Sequence, residues 1–145
     1  MRLAAVTITA SLAWAACSVA GPAGPVLIEL GKAFHLRAGQ FAQTREAGLR
    51  VGFEGATSDS RCPKGEQCVW AGDATVRVWL QQGLGPKEPR ELRAASGAAQ
   101  VASALGHDLR LVRLDPYPLA GKAIASSDYV VTLTLSRSTP TEFER

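Results

Sequence analysis

The residues best equipped for chemistry crowd into one segment, Asp59-Ser60-Arg61-Cys62-Pro63, followed by Lys64 and Glu66 and then by Cys68-Val69-Trp70-Ala71-Gly72-Asp73. Two thiols flanking a short loop can be a disulfide, half of a zinc site or a redox pair. A zinc site needs two further ligands, and the two histidines, His35 and His107, lie in unrelated segments without metal-ligand spacing. A redox dithiol is expected as Cys-x-x-Cys at a helix start, which this is not. Pairing of Cys62 with Cys68 is the preferred reading. Chain-entropy reasoning gives so small a closed loop roughly 2 kcal/mol, a noticeable share of a small domain's stability. No metal and no cofactor is expected.

Catalytic constellations can be weighed in the same way. Asp59, Glu66 and Asp73 cluster in sequence and would suit a carboxylate pair for glycoside chemistry, but they are equally explained as turn formers and surface charge. A serine hydrolase needs a nucleophile on a constrained turn with a histidine near it. The chain has no Gly-x-Ser-x-Gly, and His107, in Gly106-His107-Asp108, is an isolated base. No phosphate-cradling Gly-rich loop precedes a helix. The expectation is a protein that is not an enzyme.

A structural role accounts for the same segment more economically. Asp59 and Ser60 can bond neighbouring backbone N–H groups in a turn, Pro63 stiffens the loop, and Gly65 and Gly72 permit positive φ. Trp70 is placed to cover the disulfide and close one end of the core. Arg61 can pair with either Asp59 or Asp73. Such a disulfide-clamped hairpin cap would present Arg61, Lys64, Glu66 and Trp70 as a rigid contact surface for a protein or a small ligand. The alternative is a protease inhibitor that offers Lys64 on a pre-organised, substrate-like loop. That reading is sharper but leaves little extended backbone on either side of Lys64.

The elements that must hold this segment read as strands. Apolar residues alternate with polar ones at period two in Val26–Leu30, Phe34–Arg37, Leu49–Glu54, Ala74–Gln81, Leu109–Leu114 and Tyr129–Leu135, and more weakly around Arg90–Ala94. Ala74, Val76, Val78 and Leu80 form the cleanest inward face. Gly83 to Pro89 is a loop by composition, and the paired prolines of Asp115-Pro116-Tyr117-Pro118 end the strand before them. Residues 97–106 are Ala-rich and fit a short helix or turns. Six to eight short strands without a long helix predict an all-β domain, either a small antiparallel β-sandwich or a squat barrel, over residues 26–137. A polar tail, 138–145, follows.

The leading residues differ from the rest. Arg2 precedes an apolar run from Leu3 to Trp14, small residues follow at Ala15, Ala16, Cys17, Ser18 and Ala20, and Gly21-Pro22 makes a flexible exit. This pattern predicts a cleavable leader over residues 1–20. A general signal peptidase would cut after Ala20 or after Ala15. Ala15-Ala16-Cys17 also matches the end of a lipobox, in which Cys17 would carry lipid, although Trp14 stands where an aliphatic residue is usual. Export to the periplasm or the extracellular space agrees with an even pair of remaining cysteines. Membrane association is expected only with a lipidated Cys17. The formal net charge of +3 is too small to argue for nucleic acid, and the arginines are spread singly along the strands.

The string Asp59-Ser60-Arg61-Cys62-Pro63 followed by Cys68-Val69-Trp70-Ala71-Gly72, after Phe34, Leu36, Gly39 and Gln40 and before Leu114-Asp115-Pro116-Tyr117-Pro118 and Asp128-Tyr129-Val130-Val131, resembles a group of small bacterial secreted or lipoprotein domains. The resemblance spans nearly the whole mature chain. It implies an exported compartment and a small β fold, and it transfers no catalytic residue.

Overall fold

A computed structural model describes residues 24–45, 48–95 and 100–139. The leader with Cys17, the Ala-rich residues 97–99 and the tail from 140 lie outside the described residues.

Alternation drives the architecture. Among the described residues nine strands form: β1 (Val26–Ile28), β2 (Ala33–Arg37), β3 (Phe41–Thr44), β4 (Leu49–Asp59), β5 (Ala74–Gln82), β6 (Glu88–Arg93), β7 (Gln100–Ala104), β8 (His107–Asp115) and β9 (Val130–Arg137). They make two facing sheets, one of order β1-β3-β4-β5-β6 and one of order β2-β9-β8-β7. Neither sheet closes on itself, so of the two expected architectures the chain adopts the sandwich. The pairings between these strands are antiparallel except that of β1 with β3.

The core is the set of inward positions of both sheets. Val51 and Phe53 of β4 and Val76, Val78 and Leu80 of β5 face Leu36 of β2, Leu109 of β8 and Val131, Leu133 and Leu135 of β9, all without exposed surface. Burying each such aliphatic side chain contributes about 1.5–3 kcal/mol, which is why the alternation dictates the register. In β8 strict alternation after Leu109 and Leu111 would turn Arg113 inward. A register shift between Leu111 and Arg113 against β9 inserts one residue, so Leu114 is buried and Arg113 stays in water.

Two segments differ from the sequence reading. Residues 100–104 form β7 and not a helix, because the two-residue turn Leu105-Gly106 folds them back onto β8 with Ala104 opposite His107. Both turn residues have positive φ, 52° and 71°, the backbone that matches the twist of a hairpin. Phe41–Thr44 forms β3, a strand absent from the period-two reading of the sequence. Its outward Phe41 and the Trp79 ring, centroids 6.2 Å apart, lie on either side of Gly52. A Cβ on Gly52 would stand 2.0 Å from Trp79 Cε2, so only glycine admits the indole there.

Candidate functional site

The chemistry-bearing segment lies where β4 hands over to β5, at one end of the sandwich. Backbone bonds from Ser60 N to Asp73 O (2.7 Å) and from Cys62 N to Ala71 O (2.9 Å) continue the β4–β5 ladder outward as a narrow hairpin. The Cys62–Cys68 disulfide closes its tip. Gly72 makes this approach possible: its φ is +67°, and a Cβ there would meet the Ser60 carbonyl oxygen at 1.8 Å.

Arg61 is the pin that fixes the hairpin to the second sheet. Its Nε and Nη2 donate to the two carboxylate oxygens of Asp59 at 2.8 and 2.7 Å, a bidentate pair. Nη1 donates to the Leu114 carbonyl at 2.8 Å and Nη2 also to the Pro116 carbonyl at 3.0 Å. The Tyr129 hydroxyl donates to Asp59 Oδ2 at 3.0 Å. One guanidinium thus joins the end of β4 to the end of β8, while Tyr129 brings in the start of β9. Arg61 is only 8% exposed, so this is a buried ion pair and not a surface one.

The electrostatics follow from that geometry. Burial pushes the Asp59 carboxyl up, but the bonds from the Arg61 side chain and amide, the Arg61 charge and the Tyr129 hydroxyl outweigh it and hold Asp59 below its ordinary value. Burial opposes the charge on Arg61, and the Asp59 carboxylate more than compensates, so its value is raised. Tyr129 is raised by burial and by donating to Asp59.

The disulfide loop is braced from the other side by residues 117–120. Lys64 N donates to the Pro118 carbonyl at 3.0 Å, and Ala120 N donates to the Lys64 carbonyl at 3.1 Å, forming a parallel bridge between Lys64 and Leu119. The Tyr117 hydroxyl donates to the Cys62 carbonyl at 2.9 Å, and its ring stacks under both Arg61 and Lys64.

Of the surface expected from sequence, Lys64, Glu66 and Trp70 are exposed, whereas Arg61 is withdrawn into the pin. Asp59 is its partner, which decides between Asp59 and Asp73. Asp73 lies instead 3.7 Å from Arg93. Trp70 does not cover the disulfide. It is 77% exposed beside a fully exposed Val69, because the chain between Cys68 and Ala71 swings outward before Ala71 returns to pair with Cys62.

A groove of about 700 Å³ runs beside the pin. Arg93, Ala94 and Ala95 form one wall, Arg110 to Asp115 the other, and Arg61, Lys64 and Tyr117 close its end. Sequence reasoning placed these arginines one by one on solvated strand faces. The fold collects them, and no spacing in the sequence signalled it, because Arg93 ends β6 while Arg110 and Arg113 belong to β8, a strand of the other sheet.

Each histidine has a local partner, His35 Nδ1 with Thr132 Oγ1 and His107 Nδ1 with the Leu105 carbonyl, both at 2.9 Å. Among the described residues no group of three or more His, Cys, Asp and Glu side chains could hold a metal ion. No helix among them is long and apolar enough to cross a membrane. No family model, curated protein or solved structure matches the chain.

Proposed function

We propose that the chain is an exported interaction module that engages a partner in the cell envelope or outside the cell through the disulfide-clamped end of its sandwich. The carrying observation is an exposed Val69-Trp70 pair on a loop that a disulfide, a buried ion pair and a strand bridge all immobilise. An exposed tryptophan costs solubility, and on a rigid mount it can be buried by a partner with little loss of loop entropy. Tryptophan, tyrosine and arginine are the residue types that dominate binding energy at interfaces, and Trp70, Tyr117, Arg93 and Arg113 share this end. The leader pattern and the disulfide support export.

The inhibitor reading is the less favoured one. A substrate-like loop must offer the backbone N–H and carbonyl of its central residue to the protease, and both groups of Lys64 are already bonded to residues 118–120.

A photocrosslinking residue at position 70, expressed in the native host, tests the proposal. Leu84, which is 97% exposed on the β5–β6 hairpin, serves as the control position. A specific adduct in the envelope or medium fraction from position 70 and not from position 84 is expected. Equal adducts from both, none from position 70, or a cytosolic chain that retains Met1 and free thiols would overturn it.

A further inference from the structure

We propose that the outward face of the β1-β3-β4-β5-β6 sheet binds an acidic polysaccharide, stacking its pyranose rings on Trp79 and Phe41 and turning their carboxylates toward Lys87 and Arg50. The site lies apart from the disulfide-clamped end, in the half of β5 remote from Ala74. It therefore adds a second contact to the exported module and stands or falls separately from the first.

Register builds an aromatic strip across four strands. Phe41 of β3 pairs with Gly52 of β4, Gly52 with Trp79 of β5, and Trp79 with Pro89 of β6, so the four positions form one row on the face turned away from the core. A glycine inside a strand gives up β propensity, and what this one admits is the indole. The Cβ direction of Gly52 meets Trp79 Cε2 at 2.0 Å and its ring neighbours Cζ2 and Nε1 at 2.2 Å each, so the ring lies across the glycine with one face toward the backbone. Its other face is turned outward and carries the Lys87 ammonium, 4.1 Å from the ring centroid. Half-buried Phe41, at 6.2 Å and inclined by 35°, extends the strip, a separation that sets the two rings under adjacent sugars of one glycan chain. The C–H bonds on a pyranose face pack on the electron-rich face of such rings.

The two flanks of the strip differ in sign. Gln43, Arg50 and Gln81 form the row on one side, and Lys87, just before β6, continues the register opposite Gln81. Arg50 Cζ stands 5.9 Å from the Phe41 centroid. Neither Arg50 nor Lys87 has a carboxylate within salt-bridge distance among the described residues. On the other flank Glu54 and Glu91 share Arg77, at 4.0 and 3.2 Å, which leaves carboxylate charge in excess there. A hexuronate complements both flanks, with a carboxylate on one edge of its ring and hydroxyl groups on the opposite edge. Stacked on Trp79, it sets the carboxylate against Lys87 and Arg50 and lets its hydroxyls donate to Glu54 and Glu91. A neutral glycan would leave the two cations unanswered, and a polyanion without sugar rings would leave the strip bare. Lys87 must leave the indole face for the carboxylate, a small cost for an exposed and flexible side chain. An indole laid over a strand glycine also stabilises the sheet by itself, a role that requires no ligand. Binding separates the two roles.

The test is a titration of the purified, oxidised mature chain carrying Trp70→Phe, so that with the leader removed tryptophan emission reports Trp79 alone. The probe is a short oligomer of glucuronate on the cellulose backbone. Its comparisons are the cello-oligosaccharide of the same length, with hydroxymethyl groups in place of carboxylates, and polyglutamate of equal charge. The glucuronate oligomer should bind and shift the Trp79 emission, more weakly as salt rises. The cello-oligosaccharide should bind at least tenfold more weakly, and polyglutamate should leave the emission unchanged. Lys87→Glu should cost at least tenfold in affinity while Lys32→Glu, on an exposed side chain between β1 and β2, leaves it as it was. Trp79 stays in place because its indole also covers Gly52. No binding of the glucuronate oligomer, equal affinity for the neutral one, the same emission change with polyglutamate, or an unchanged affinity in Lys87→Glu would overturn the proposal. If position 70 still crosslinks a partner while the oligomer fails, only the glycan site falls; binding here without an adduct at position 70 removes only the clamped-end reading.

Discussion

Replacing Arg61 with methionine keeps the length of the side chain and removes its charge and its four donated side-chain bonds, two to Asp59 and one each to the Leu114 and Pro116 carbonyls. Asp59 would then be a carboxylate with a side chain 10% exposed, left with the Tyr129 hydroxyl and one backbone amide. Breaking one partner of a buried pair typically costs 3–5 kcal/mol, against a total stability of about 5–15 kcal/mol for a domain. With a urea slope of about 2 kcal/mol/M, the unfolding midpoint of Arg61→Met should fall by roughly 1.5–2.5 M. Adding Asp59→Asn to make the double variant removes the stranded charge and should recover part of that loss, so the two effects should not add. The measurement is urea unfolding followed by circular dichroism on all four members of the cycle. A single-variant loss below about 1 kcal/mol, the range of an exposed pair, would refute the claim that Arg61 pins the two sheets.

Acid should act on the same pair. Because the Asp59 carboxyl is held below its unfolded value, the unfolded chain binds more protons as pH falls through the ordinary Asp range, and stability that is fully present above about pH 4 is lost below it. Asp59→Asn should flatten that part of a stability-against-pH curve measured by thermal melts. Gly72→Ala should destabilise by more than about 2 kcal/mol, since a Cβ there collides with the Ser60 backbone and sits at positive φ, and a melting temperature within a degree or two of the parent would contradict this. Cys62→Ser with Cys68→Ser should cost roughly 2 kcal/mol by the loop-entropy argument without unfolding the sandwich, as read by the urea midpoint with near-native circular dichroism.

Strands with an uninterrupted apolar face were legible in the sequence. Val76, Val78 and Leu80 of β5 and Val131, Leu133 and Leu135 of β9 are buried as their alternation requires. β7 was hidden because Ala102, Ser103 and Ala104 carry little periodic signal, and only the turn at Leu105-Gly106 commits them to a hairpin. The pairing of Cys62 with Cys68 and of Arg61 with an aspartate could be anticipated from proximity in the chain. That Arg61 also reaches Leu114 and Pro116, more than fifty residues away, could not, since it depends on where β8 ends against β4. Trp70 misled for a related reason. Its neighbour Cys68 suggested a ring over a disulfide, but the direction of the chain there is set by the left-handed backbone of Gly72 and the return of Ala71 to Cys62.

The groove has walls from different sheets, and nothing in ordinary sandwich packing fixes how far apart two sheet edges stand at an open end. Here Arg61 bonds the end of β4 to the end of β8 at the groove's closed end. Arg61 thus ties β8 to the sheet that carries β6, and that tie together with the packed core holds the walls apart at a fixed distance. A molecule entering this space would find its contacts already at their final separation, and none of its binding free energy would be diverted to drawing the sheets together.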